Sequence, residues 1–229
     1  RSSDRSRRLP DRPLTGDRWR LFVAAPLPER AAAAAWQALA EVRKRHPEAR
    51  WLAPDKLHLT LVFLGQTDAR EVDRIAGAVA SVAARHERYQ VATGEGGGRI
   101  SDRRGGVCWL RLTDGARETV TIALELDRAI GSGTYDAGRP PHPHLTLARG
   151  VDQPVLDDLR SAARDVRLSW TADRLVLFRS YTDPRGSRYQ ELAGFAVQAG
   201  ARAQQLGAGR YAAQRRLQVV AGNAFAVVD

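Results

Sequence analysis

Lys56-Leu57-His58-Leu59-Thr60-Leu61-Val62-Phe63-Leu64-Gly65 and Pro141-His142-Pro143-His144-Leu145-Thr146-Leu147-Ala148-Arg149-Gly150 are the two stretches on which the reading of this chain turns. Each holds the string His-Leu-Thr-Leu inside an apolar run. Breakers bound both runs, Pro54 and Gly65 for the first and Pro143 and Gly150 for the second, so both are expected to be strands. Side chains alternate between the faces of a strand, which puts His58 and Thr60 on one face and Leu59 and Leu61 on the other. His144 and Thr146 follow the same rule. Two such strands facing one cleft would gather two imidazoles and two hydroxyls around a small ligand. A single His-x-Thr carries no information, but two copies with matching flanks use two of only five histidines in the chain.

These residue types suit displacement at phosphorus. Such a reaction needs a base to take a proton from water and an acid to give one to the departing oxygen, and histidine titrates where it can do either. Threonine hydroxyls can donate hydrogen bonds to the non-bridging oxygens, where charge is held while the bonds exchange. Arg149, five residues after His144, offers a charged, forked donor. Each residue alone has a plainer reading. A strand histidine is often structural, Thr60 and Thr146 could be ordinary β-formers, and Arg149 could be a surface charge. The duplicated spacing selects the site reading, because leucine or valine would pack better than imidazole at both inward-facing positions.

Around the motifs the pattern alternates strand and helix. Trp19 to Ala25 reads as a first strand. Residues 28–46 read as one alanine-rich helix with Trp36, Leu39 and Val42 at helical spacing, ending in the basic run Arg43 to His46 before Pro47. Asp68 and Glu71 form a capping-box-like start to a second helix with Val72, Ile75, Ala76, Val79 and Val82 on one stripe. His46 and His86 both read as solvated helix-end charges. Gly94 to Gly106 lacks the Lys-Ser/Thr of a phosphate loop and reads as a basic, flexible connector. Val107 to Leu112 is expected as a strand. A third helix is expected over Arg117 to Ile130 with Val120, Ala123 and Leu124 inward, and a fourth over Pro154 to Val166 with Val155, Leu156, Leu159 and Ala163 inward. Leu175 to Tyr181 and Tyr189 to Val197 read as a hairpin around Asp183-Pro184-Arg185-Gly186. Phe63, Trp109 and Trp170 read as core. The order strand, helix, motif strand, helix occurs in both halves, so an internal duplication is expected.

The chain has 229 residues, 43% of them hydrophobic, enough to bury a sizeable core. Its formal charge of +10 is uneven. Seven Arg against three Asp in residues 1–20 give +4, and four Arg against one Asp in residues 199–229 give +3, leaving +3 between them. A basic excess favours polyanions through counterion release and serves solubility equally well. Residues 1–17 have the composition of a disordered basic arm, residues 18–198 of the folded domain, and residues 199–229 form an extension with no assigned role. The single Cys108 excludes an internal disulfide, and a buried packing role is expected for it. No run is long enough for a membrane span, and the Arg-rich opening is no secretory signal, so a cytoplasmic monomer is expected. The absence of methionine implies that residue 1 is not a natural start.

The blocks RLFVAAPLP, WLAPDKLHLTLVFLG, VCWLRL, PHLTLAR and LVLFRSYTDPRGSRYQELAGF, spread in that order over Trp19 to Val197, resemble those of the 2H phosphoesterases. They are most similar to the branch of RNA 2′,3′-cyclic phosphodiesterases, also called 2′-5′ RNA ligases. The resemblance implies an α+β fold of two pseudo-symmetric lobes, each an antiparallel sheet with helices packed outside, with the active-site cleft between them. It implies attack of water on a cyclic phosphate with no metal and no cofactor. The catalytic pair falls on His58, as general acid, and His144, as general base, and the phosphate-binding residues on Thr60, Thr146 and Arg149. The implied reaction opens RNA-terminal 2′,3′-cyclic phosphates to 2′-phosphates, and its reversal would make a 2′-5′ bond.

Three other readings stay open at this stage. One is a 2H enzyme acting on a small cyclic nucleotide or a 2′-5′ oligonucleotide instead of an RNA end. Another is an RNA-binding module without catalysis, against which both histidines and both threonines are retained. The third is a zinc hydrolase using His142 and His144 with a further histidine and a carboxylate such as Asp55 or Asp136, although no further ligand has motif-like spacing.

Overall fold

Arg18 to Pro26, with five consecutive buried residues from Leu21 to Ala25, forms the strand β1, which pairs with strands on both sides. In the computed structural model, which describes residues 16–99, 105–164, 166–183 and 186–198, this strand is one of nine. The others are β2 (Arg50–Trp51), β3 (His58–Asp68), β4 (Tyr89–Arg99), β5 (Gly106–Asp114), β6 (His144–Val151), β7 (Ser169–Ala172), β8 (Arg174–Asp183) and β9 (Gly186–Ala196). The helices are α1 (Glu29–Ala38), α2 (Ala40–Arg45), α3 (Val72–Ala83), α4 (Ala116–Ile130) and α5 (Gln153–Ala162). The strands run in the order β7-β4-β5-β6-β3-β1-β8-β9, all antiparallel, with β2 added to β6.

The two motif strands β3 and β6 lie at the centre and share a single paired position, Leu59 opposite Leu145, both without solvent exposure. Four strands extend to each side of that seam, which gives the two lobes. The lobes exchange their covering helices. Helix α4 connects β5 to β6 in one lobe but packs on β3 and α3 of the other. Helices α1 and α2 connect β1 to β3 yet lie toward β6 and α5, where Arg45 of α2 bonds Asp158 of α5 at 2.7 Å and Ala35 and Leu39 line a small cavity with Leu147. The segment after each exchanged helix then covers a backbone edge of the opposite motif strand. Leu52 N–H donates to the Leu147 carbonyl at 2.8 Å, and Tyr135 Oη donates to the Leu61 carbonyl at 2.6 Å. Leu147 and Leu61 hold the same place in their motifs.

The structure corrects several expectations. The helix expected over residues 28–46 breaks at Leu39, whose φ of −101° and ψ of 12° leave the α region and separate α1 from α2. In α4 the buried stripe is Thr119, Ile122, Ala123, Leu126 and Ile130, while Leu124 is exposed. The four apolar positions expected inward on α5 and its C-terminal cap are all buried. His46 and His86 are not solvated ends. His46 Nε2 lies 2.8 Å from Asp158 Oδ2, and His86 Nε2 lies 3.1 Å from Glu125 Oε2. Both are partners of carboxylates on neighbouring helices.

The glycine-rich segment is a strand and not a connector as far as Arg99. Gly96, Gly97, Gly98 and Arg99 pair with Leu110, Trp109, Cys108 and Val107. Its lack of side chains is what the packing uses. A Cβ on Gly98 would stand 2.4 Å from Leu156 Cδ1, so α5 sits directly on the backbone of β4, and a Cβ on Gly97 would stand 2.6 Å from Trp109 Nε1 on the other face. The arm before residue 16, the C-terminal extension and the Pro184-Arg185 part of the hairpin turn lie outside the described residues. Among the described residues no helix is long and apolar enough to cross a membrane.

Candidate active site

Each motif strand carries two register shifts, and the first after the histidine falls at the same motif position in both and decides what faces the cleft. Between β1 and β3 the register steps from Val23–Val62 to Ala24–Thr60, leaving Leu61 without a partner. Between β5 and β6 it steps from Cys108–Ala148 to Trp109–Thr146, leaving Leu147 without one. Each is a β-bulge, which inserts a residue and turns the strand. Two adjacent residues are buried as a result, Leu61-Val62 and Leu147-Ala148. The residue five after each histidine therefore shares the face of the histidine and threonine, although five is an odd offset. In one lobe that residue is Arg149, and in the other it is Phe63, which is 42% exposed and not part of the core.

The histidines are held by the same bond. His58 Nδ1 lies 2.7 Å from the Lys56 carbonyl and His144 Nδ1 lies 2.7 Å from the His142 carbonyl. A carbonyl only accepts, so Nδ1 carries the proton in each ring and Nε2 is left with its lone pair free. Burial lowers the pKa of both rings. It takes His58 to about 4, against the lift from its bond to Lys56, and the charges of Arg149 and His144 add to the lowering. For His144 the direction is the same, burial being the main cause and His142 and Arg149 contributing. Arg149 thus acts electrostatically on both rings, and among the described residues it pairs with no carboxylate. Neither the Thr60 nor the Thr146 hydroxyl has a hydrogen-bond partner among the described residues. The site therefore combines two proton-transfer groups, two free donors and one uncompensated cation.

The surroundings of the two rings differ. Three aromatic rings flank His58, Phe22 at 5.1 Å, Tyr189 at 5.4 Å and Phe178 at 6.5 Å between centroids. Trp109 at 5.2 Å and His142 at 5.7 Å flank His144. Trp109, expected as core, is half-buried beside the site, with Nε1 enclosed and unbonded over Gly97. Trp170 is core as expected. Sequence reading missed Phe22, Phe178 and Tyr189, which come from β1, β8 and β9 and meet only through strand pairing. Their one signal was aromatic residues on strands that lead toward the motif. His142 and His144 are neighbours, but among the described residues no three of His, Cys, Asp and Glu come together as a metal-ligand set. Asp136 instead closes a small loop with Arg139.

A bilobal α+β sheet with a His-x-Thr-x pair at its seam is the architecture of a 2H phosphoesterase. The chain belongs to the 2′-5′ RNA ligase superfamily, whose family model matches residues 28–184. It is 33% identical over 143 residues to the RNA 2′,3′-cyclic phosphodiesterase of Escherichia coli, covering 59% of this chain and 74% of that one. It is 32% identical over 196 residues to the RNA 2′,3′-cyclic phosphodiesterase of Thermus thermophilus, covering 78% and 90%. Among solved structures, E. coli LigT complexed with 3′-AMP superposes with a TM-score of 0.58 at 25% identity, covering 80% of this chain and 99% of that one. Thermus thermophilus TT0787 superposes with a TM-score of 0.60 at 26% identity, covering 79% and 98%. Family and relatives make the chain an enzyme of the cyclic phosphodiesterase kind.

Proposed function

We propose that this chain hydrolyses 2′,3′-cyclic phosphates at RNA 3′ ends to 2′-phosphates, with His58 and His144 exchanging the protons. The observation that carries the reading is the matched pair of Nδ1 bonds to Lys56 and His142, which leaves one free Nε2 on each motif strand beside two unbonded threonine hydroxyls. The relatives' names supply the substrate. His144 Nε2 takes a proton from water as its oxygen bonds to phosphorus. The bond from phosphorus to O3′ breaks, and the Nε2 proton of charged His58 passes to O3′. Thr60, Thr146 and Arg149 hold the non-bridging oxygens, whose charge grows as the two bonds exchange. A cyclic phosphate brings negative charge between the rings, which favours the charged form that the acid needs and that burial opposes in the free protein. Run in reverse with a 5′-hydroxyl in place of water, the same groups would form a 2′-5′ bond. The domain that performs this is residues 18–198.

The test is an oligonucleotide ending in a 2′,3′-cyclic phosphate, incubated with the protein in EDTA. Release of a 2′-phosphate is expected, with a loss of roughly 10² to 10⁴-fold for His58→Ala or His144→Ala. Turnover that required added metal would defeat the mechanism, and turnover of small cyclic nucleotides alone would move the substrate away from RNA. A phosphodiester with a good leaving group, such as p-nitrophenol, assigns the roles. His58→Ala should lose less on it than on the cyclic phosphate, because that departure needs no acid, and His144→Ala should lose equally on both.

A further inference from the structure

The sheet face that carries His58 and Thr60 continues past them along β1, β3 and β8. Register places Ala24 beside Thr60, Phe22 beside Phe63 and Phe178, and Arg20 beside Gln66 and Ser180, so these rows share the catalytic face. In this direction an exposed aromatic is followed by a cation. Arg20 lies with its guanidinium carbon 4.7 Å from the Phe63 centroid and pairs with no carboxylate among the described residues. The stacked guanidinium directs its N–H donors outward in its own plane, the geometry that meets a phosphate. Arg20 stands four strand positions from Ala24, but its guanidinium reaches back over Phe63 in the Phe22 row, which is two positions, about 7 Å, from the Thr60 row. Successive phosphates of an extended single strand are spaced comparably. Register places two carboxylates on this face, Glu191 beside Phe178 and Asp68 beside Arg18, and they pair with Arg174 and Arg70. Gln66 and Ser180 add neutral hydrogen-bonding groups to the Arg20 row.

We infer that this face is a single-strand RNA subsite, in which Arg20 binds the phosphate on the 5′ side of the terminal nucleotide while the cyclic phosphate sits at the histidines. The inference rests on the cyclic phosphodiesterase reading above and narrows its substrate to an oligonucleotide end. An aromatic face with a cation over it is what sequence-tolerant single-strand binding uses. The opposite lobe offers a weaker path. Arg111 is the register partner of His144 on that face, but among the described residues the aromatic that stands with it, Trp109, is half-buried.

The experiment compares kcat/KM on 2′,3′-cyclic AMP with kcat/KM on a trinucleotide ending in a 2′,3′-cyclic phosphate, for the wild-type chain, Arg20→Gln and Arg111→Gln. Arg20 is exposed and outside the reacting groups, so Arg20→Gln is expected to fold, as a thermal melt checks. The wild-type chain should prefer the trinucleotide. Arg20→Gln should lose about tenfold on the trinucleotide and nothing on the mononucleotide, and its log–log salt slope should fall by about 0.7, the value for one lost contact to a single strand. Equal wild-type activity on both substrates, an equal loss on both, or a loss confined to Arg111→Gln would overturn the subsite. No wild-type turnover of either substrate would overturn the parent reading, a result distinct from all of these.

Discussion

A proton on His58 is opposed by its surroundings. Three aromatic rings and the Arg149 charge stand around it, and burial takes its pKa to about 4, against about 6.5 in an unfolded chain. Between those values the unfolded chain binds more protons at this position than the folded one, so stability rises with pH through the window. The contribution is complete above about 6.5 and is lost as pH falls toward 4, a loss on the order of 3 kcal/mol. Urea unfolding at pH 7 and pH 4.5 should show the wild-type chain losing more stability than His58→Asn, and parallel losses would mean that the ring is not enclosed as described. The two histidines and two threonines were legible from sequence because motif, alternation and duplication all agreed on them. Phe63 was not, because one bulged residue inverts the faces beyond it, and no residue type in Leu61-Val62 announces a bulge.

At the scale of the element, the informative case is β4. A run of Gly94, Gly96, Gly97 and Gly98 has no side chains to display period-two alternation, so the pattern that identifies a strand was missing from it. The strand forms because its neighbours need the space. Gly98→Ala would drive a methyl group against Leu156 Cδ1 and the Val107 carbonyl, at 2.4 and 2.9 Å, and is expected to cost about 1–3 kcal/mol. Gly77→Ala, in α3 with nothing within 4 Å, should instead stabilise by about 0.4–1 kcal/mol. Thermal melts of the two variants check the contrast, and a shift of the same sign in both would remove the packing role given to β4. The helices α3 and α5 were legible from their apolar spacing, and α4 was legible as a helix although its expected inward stripe matched the buried one only at Ala123. The break at Leu39 was not, since alanine-rich sequence on one side and basic sequence on the other both favour helix.

Across the whole molecule, the two halves of the nine-stranded sheet are joined through one paired position, Leu59 against Leu145. Leu145→Ala is expected to cost about 2–5 kcal/mol, the range for a fully buried leucine. Because the exchanged helices tie the lobes together, tryptophan fluorescence and far-UV circular dichroism should report a single coincident unfolding transition for this variant and the wild-type chain. Two separated transitions would show lobes that fold independently. The bilobal class was legible through the resemblance to the 2H phosphoesterases, with the repeated order of elements agreeing with it, whereas the exchange was not, because no local pattern states which sheet an amphipathic helix will cover.

That exchange bears on how such a chain can be recombined. Helix α1 with α2, encoded before the first motif, packs toward the second motif strand, and α4, encoded before the second motif, packs on the first. A chimera joining the front of this chain to the back of a relative at the midpoint would put a foreign helix against both catalytic strands at once. Crossovers that keep each motif strand with its covering helix must take that helix from the other half of the gene.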